Sequence, residues 1–139
     1  MIKSTILAIS CLMATTSFAA ESAKTEANET ITTKTGIEYT SLREGNGATP
    51  GPTDTVRVNY RGTLLNGREF DSSYKSGRPV EFPLTGVIKC WTEGLQLMKV
   101  GGKAQLVCPS NLAYGEEGIP GTVPRNAVLI FEVELLSIK

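Results

Sequence analysis

The chain has 139 residues, with 14 Lys and Arg against 14 Asp and Glu, no His, three Cys and 40% hydrophobic residues. That length suits one domain with a single core, and the even charge balance argues against a nucleic-acid or anionic-membrane partner, which would call for a basic excess. Without imidazole there is no Ser-His-Asp or Cys-His site, no HExxH zinc site and no histidine acid–base step; with no P-loop motif either, what remains is carboxylate catalysis, catalysis without proton transfer, or binding.

Residues 1–19 read as a secretory signal. Lys3 supplies the positive start, Ile6 to Ala14 a short apolar run, and Ser17-Phe18-Ala19 the small residues before a cleavage point at Ala20. A bilayer span needs about 20 apolar residues, and this run is roughly half that. The expected location is the periplasm, with secretion as the alternative.

Residues 20–35 contain no Gly, no Pro, no aromatic residue and one large aliphatic, Ile31. With no face to bury, this stretch is expected to be a flexible polar leader. All 14 Gly and seven Pro lie beyond it, which places the domain at 36–139. There Val56, Val58 and Tyr60 alternate with Arg57, Asn59 and Arg61, the period of a strand with one buried face. Asn66-Gly67 marks a tight turn between extended segments. Trp91, Leu95 and Met98 fall at i, i+4 and i+7, which predicts a helix over 91–98 stopped by Gly101-Gly102. Ala104 to Cys108 is a short apolar strand. The end of the chain, from Val128 to Leu136, sets Leu129, Phe131, Val133 and Leu135 opposite Glu132 and Glu134. The fold class is α+β, an antiparallel sheet with one short helix across it.

Removing the signal leaves Cys90 and Cys108, 18 residues apart. In an exported chain an even pair is a disulfide candidate. A loop of that size stabilises by roughly 3 kcal/mol if the geometry is unstrained. Two buried free thiols, acting as small apolar residues, are the alternative.

Three segments are unusual for plain connectors. Tyr114 to Pro124 is a Gly/Pro loop carrying Ile119 and Val123. Phe70-Asp71-Ser72-Ser73 sets a carboxylate beside an aromatic ring, and Val87-Ile88-Lys89-Cys90-Trp91 runs into the helix start, where backbone N–H groups are free. Together with Val58-Asn59-Tyr60-Arg61-Gly62, Trp91-Thr92-Glu93-Gly94, Leu112-Ala113-Tyr114-Gly115 and Leu129 to Leu135, in this order, they make residues 36–139 resemble an FKBP-type peptidyl-prolyl cis–trans isomerase. The resemblance implies a strongly curved antiparallel sheet wrapped around the helix. It also implies isomerisation of X–Pro bonds in exported proteins, by a non-covalent route that uses no cofactor and no metal. Implied partners are unfolded or partly folded proline-containing polypeptides and macrolides of the tacrolimus and rapamycin type, with no nucleic acid and no membrane insertion. The short polar leader suggests a monomer.

Carried over by position, Tyr60, Asp71, Ile88, Trp91 and Tyr114 are the implied catalytic residues, with the proline ring on Trp91 and substrate carbonyls on the Ile88 N–H and the Tyr114 hydroxyl. Phe70, Phe82, Val87, Ile119, Val123 and Phe131 are the implied substrate-binding residues. Two departures stand out: Ile119 where some relatives have His, and Cys90 where Gly is common, the latter fitting a bond to Cys108. Of the eight aromatic residues beyond the signal, six map to this pocket. Aromatic residues on alternating strand positions also serve simply as core, and Asp71 before two serines also serves as a turn cap. A proline-peptide-binding or chaperone module with little turnover, or a structural adhesion domain, are the competing functions.

Overall fold

A computed structural model describes residues 29–139; the expected signal sequence 1–19, and the leader as far as residue 28, lie outside the described residues. Alternation in the sequence becomes a single antiparallel sheet. Its strands are β1 (Thr30–Thr32), β2 (Glu38–Arg43), β3 (Thr55–Leu64), β4 (Glu69–Ser72), β5 (Val80–Pro83), β6 (Lys103–Cys108) and β7 (Leu129–Ile138). They are ordered β1-β2-β6-β7-β3-β4, with β5 pairing another stretch of β3. On β3 the inward positions are Val56, Val58, Tyr60, Gly62 and Leu64; on β7 they are Leu129, Phe131, Val133 and Leu135. A one-residue slip between these two strands would turn both apolar sets to water, so the register running from Val56↔Ile138 to Leu64↔Leu129 is strongly specified.

The ladders shift register between Ser41 and Arg43, between Arg57 and Val58, and between Gly62 and Thr63. Such bulges bend strands and increase their twist, and the sheet accordingly curves around the helix α1 (Lys89–Gly94). The helix differs from its expected span over 91–98. It begins at Lys89, tightens into a 3-10 turn at Leu95–Leu97, and leaves helical geometry at Met98. Trp91, Leu95 and Met98 are nevertheless all buried; a tightened last turn keeps the same face inward. Gly94 lets the helix sit on the sheet, because a Cβ there would lie 2.9 Å from Leu106 Cδ1. Gly101-Gly102 shapes the reverse turn into β6 and does not end the helix: Gly102 N–H donates to the Lys99 carbonyl at 2.9 Å.

The leader also ends earlier than its composition suggests. Thr30–Thr32 pairs with β2 from Thr30↔Thr40 to Thr32↔Glu38 while burying nothing. Backbone pairing holds it, together with a 2.6 Å bond between the Thr30 and Thr40 hydroxyls. A turn with Gly36 at φ +101° joins it to β2. A search for an apolar face has no means of detecting such a strand.

The core between helix and sheet contains Val56, Val58, Leu84, Leu95, Leu106, Leu129, Val133 and Leu135, all fully buried. Each such side chain stabilises the fold by about 1.5–3 kcal/mol relative to exposure. Cys90 on α1 is bonded to Cys108 at the end of β6, with Cα atoms 5.8 Å apart and both residues fully buried. Among the described residues, no helix is long and apolar enough to cross a membrane.

Candidate active site

Where the inner faces of β3 and β7 meet α1, the sheet and helix leave a cavity of about 370 Å³, within the range of small-ligand sites. Trp91 forms its floor. Three rings meet the indole edge-on: Tyr60 at 5.2 Å and 86°, Phe82 at 5.3 Å and 88°, and Phe131 at 5.3 Å and 82° between centroids and planes. Phe70 stands edge-on to Phe131 at 5.6 Å. Edge-to-face pairs of this kind contribute about 0.5–1.5 kcal/mol each beyond burial. Gly62 makes the arrangement possible: a Cβ at that position would lie 2.6 Å from Phe70 Cζ and 2.9 Å from Phe131 Cε1. The Trp91 Nε1–H is buried and has no hydrogen-bond acceptor among the described residues, so packing alone orients the indole.

The polar groups gather at one side. The Tyr60 hydroxyl donates to Asp71 Oδ2 at 2.7 Å, and the Ser72 N–H donates to Asp71 Oδ1 at 2.9 Å. Ser73 holds the Tyr60 backbone twice, accepting from its N–H at 2.9 Å and donating from its own N–H to the Tyr60 carbonyl at 3.0 Å. Burial pushes the Tyr60 phenol well above its usual range, reinforced by the hydrogen bond and negative charge of Asp71 and by Tyr114. Burial and then the Asp71 charge also raise Tyr114. Both hydroxyls therefore stay protonated at neutral pH, with the Tyr60 proton committed to Asp71. Tyr114 stands at the rim, 37% exposed.

Ile88 sits at the boundary between a 3-10 turn (Leu84–Gly86) and α1. Its carbonyl accepts from the N–H groups of Trp91 and Thr92 at 3.0 and 3.1 Å. Among the described residues its own N–H has no backbone acceptor. The Thr92 hydroxyl donates to the Leu84 carbonyl at 2.7 Å, tying the helix back to the turn that sets Val87 and Ile88.

Of the residues picked out from sequence, Tyr60, Phe70, Asp71, Phe82, Val87, Ile88, Trp91, Tyr114 and Phe131 line this one cavity. Ile119 and Val123 do not. They exchange two 2.8 Å backbone bonds with each other across a turn with Gly121 at φ +81°, and Val123 is only 4% exposed. The loop closes on itself, with Ile119 half-buried and Val123 buried. Gly86 also lines the cavity and escaped the sequence reading; the Thr85-Gly86 step just before Val87-Ile88 was its only signal. Chemically, the site offers an apolar floor, the Tyr114 phenol as a donor, the Ile88 backbone N–H without a backbone acceptor among the described residues, and one carboxylate already engaged by the Tyr60 hydroxyl and the Ser72 N–H. Among the described residues no cluster of side chains could hold a metal ion.

A family model described as FKBP-type peptidyl-prolyl cis-trans isomerase matches residues 46–136. The chain is 53% identical over 108 residues to the FKBP-type peptidyl-prolyl cis-trans isomerase FkpA of Escherichia coli, an overlap taking in 78% of this chain and 40% of that protein. The crystal structure of FkpA from Escherichia coli is similar with a TM-score of 0.77 at 48% identity, covering 86% of this chain and 57% of that one. A crystal structure of a peptidyl-prolyl cis-trans isomerase from Pseudomonas syringae pv. tomato gives 0.76 at 38% identity, covering 87% of this chain and 86% of the other. The alignment with the Escherichia coli protein thus takes in well under half of that relative's length.

Proposed function

The chain belongs to the FKBP-type peptidyl-prolyl cis-trans isomerase family, and from that premise we propose that its domain accelerates X–Pro isomerisation in the folding of exported polypeptides. The observation that carries the proposal is the Trp91 floor boxed by the edges of Tyr60, Phe82 and Phe131. An indole ring is flat and apolar, the surface that a prolyl ring calls for.

Rotation about the X–Pro bond breaks amide resonance, a barrier of about 18–20 kcal/mol. No bond is made and no proton moves. The twisted amide carries less charge separation than the planar one, so it loses less on leaving water. An apolar cavity consequently favours it over the ground state. The proline ring rests on Trp91. The Ile88 N–H and the Tyr114 hydroxyl hold substrate carbonyls, and the Asp71 carboxylate, fixed by Tyr60 and Ser72, anchors polar groups at the rim. Lowering the barrier by about 4 kcal/mol gives roughly a thousand-fold acceleration.

Export is part of the proposal: an expected signal at 1–19 and a core disulfide both suit an oxidising compartment, the periplasm. A macrolide of the tacrolimus or rapamycin type is proposed to compete for the same floor, and the active form is proposed to be a monomer. A protease-coupled proline-peptide assay tests the central statement. Turnover above background that rapamycin abolishes is the expected result. Folded protein that binds proline peptides at the background rate would leave a binding or chaperone module instead.

A further inference from the structure

We infer that the Cys90–Cys108 disulfide is a positioning element for the cavity floor: it fixes Trp91 and Ile88 relative to the sheet, and opening it lowers turnover while the sheet stays folded. The inference rests on the isomerase reading. Cys90 directly precedes Trp91 and lies two residues after Ile88. Cys108 ends β6, and Pro109 with one 3-10 turn (Ser110–Leu112) leads from it to Tyr114. The bond therefore joins the two segments that carry the Ile88 N–H and the Tyr114 hydroxyl.

The two sides of this crosslink differ in rigidity. β6 is paired on both edges, with β2 and with β7, where Leu106 faces Phe131 and Cys108 faces Leu129. By contrast, α1 has six residues and no side-chain cap at Ile88, and helices that short do not sustain themselves. Among the described residues no hydrogen bond orients the indole. Besides the disulfide, α1 is held by the Thr92 hydroxyl on the Leu84 carbonyl, the Thr35 hydroxyl on Glu93 Oε2, the packing of Gly94 on Leu106 and the ring contacts of Trp91 itself; of the tethers to the sheet, the disulfide alone is covalent.

A dithiol opens the bond in two exchanges. One of its thiolates attacks a protein sulfur to form a mixed disulfide, and its second thiolate displaces the remaining protein thiolate. The reagent leaves as a cyclic disulfide, and two electrons and two protons end on Cys90 and Cys108 as thiols. Two unbonded sulfurs must separate from about 2 Å to ordinary contact, roughly 1.5 Å further. Both residues are fully buried in an interior without spare volume, so the helix moves and the doubly paired strand does not.

Trp91 is the only Trp in the chain, so its emission reports the floor alone. The test compares the exported protein oxidised, reduced with dithiothreitol and reoxidised, alongside the double variant Cys90→Ala, Cys108→Ala. Reduction and the double variant are expected to lower kcat/KM by about tenfold to a hundredfold. They should also shift Trp91 emission to longer wavelength with stronger acrylamide quenching, and leave the far-ultraviolet strand signal unchanged; reoxidation should restore the wild type. Folded, reduced protein with unchanged kcat/KM and unchanged emission overturns the inference. Loss of the strand signal on reduction also overturns it, by making the bond a requirement of the whole fold. Oxidised protein without any turnover removes the isomerase reading instead, and Trp91 emission then still decides whether the disulfide holds the floor.

Discussion

Replacing Gly62 with Ala puts a methyl group where the cavity has no room for one. The new Cβ would lie 2.6 Å from Phe70 Cζ, 3.0 Å from Phe70 Cε2 and 2.9 Å from Phe131 Cε1. Carbon atoms in contact prefer about 3.5–4.0 Å, so both rings must retreat by roughly 0.5–1 Å. Strand β3 cannot yield in their place, since Gly62 is paired with Phe131 on one side and Asp71 on the other. The rings therefore move into the cavity, Phe131 away from its edge-on geometry with Trp91 and Phe70 away from its own with Phe131. Overpacking of this kind costs about 1–3 kcal/mol of stability. Misplacement of a binding wall by about 1 Å costs up to a hundredfold in rate, so a fall in kcat/KM of about tenfold to a hundredfold is expected. The control is Gly67→Ala at the β3–β4 turn, where φ is +89° and a Cβ would meet nothing within 4 Å. It should cost about 1 kcal/mol or more of stability through backbone strain alone and leave turnover untouched. Urea unfolding gives the stabilities and the protease-coupled peptide assay the rates. A Gly62→Ala protein with wild-type kcat/KM, or a Gly67→Ala protein impaired as severely, would show that ring placement is not what sets the rate.

Trp91→Leu keeps the floor apolar but removes three edge-to-face contacts, each worth about 0.5–1.5 kcal/mol; it should stay folded, unfold at lower urea and lose more than about tenfold in kcat/KM. Wild-type turnover by the folded variant would remove Trp91 from the site. Tyr114→Phe deletes one rim donor, and a net hydrogen bond of about 0.5–1.5 kcal/mol corresponds to a loss of roughly twofold to tenfold, measured with the same peptide. A thousand-fold loss would instead make that hydroxyl a chemical participant. Alkaline stability follows from the raised phenols. Unfolded tyrosines ionise near the ordinary 10.0, whereas Tyr60 and Tyr114 resist. Their contribution is fully present below pH 10.0 and is lost as pH rises above it toward the folded values. Urea titrations across that range, with phenolate absorbance followed in parallel, should show late ionisation and falling stability; tyrosines that all ionise near 10.0 with no loss of stability would contradict this.

Alternation made β3 and β7 legible, because each buries one face and water punishes a slip in register, and β6 showed as a short apolar run. Short strands were not. β1 is held by backbone pairing with no burial, and β4 and β5 have four residues each, too few for a period to emerge. The helix face was readable from Trp91, Leu95 and Met98, but its ends were not: an uncapped start at Ile88 and a 3-10 finish leave no residue signature. Most of the candidate site came from ordered motifs flanking these elements. Ile119 and Val123 lie off the cavity and bridge each other, and in sequence apolar loop residues look the same whether they face a ligand or close a turn. The space kept open by Gly62 is a three-dimensional fact: glycine in a strand registers as a weakness until Phe70 and Phe131 are seen standing over it.

If a twisted imide is stabilised by an apolar floor and no hydrogen ion is transferred, proton availability should not matter to the rate. The direct measurement is kcat/KM for the oxidised protein between about pH 6 and 9, in ordinary and in heavy water. A flat profile with a solvent isotope ratio of about 1 is the expected result. A bell-shaped profile, or a ratio of about 2 or more, would mean that a group in the site moves a proton in the rate-determining step.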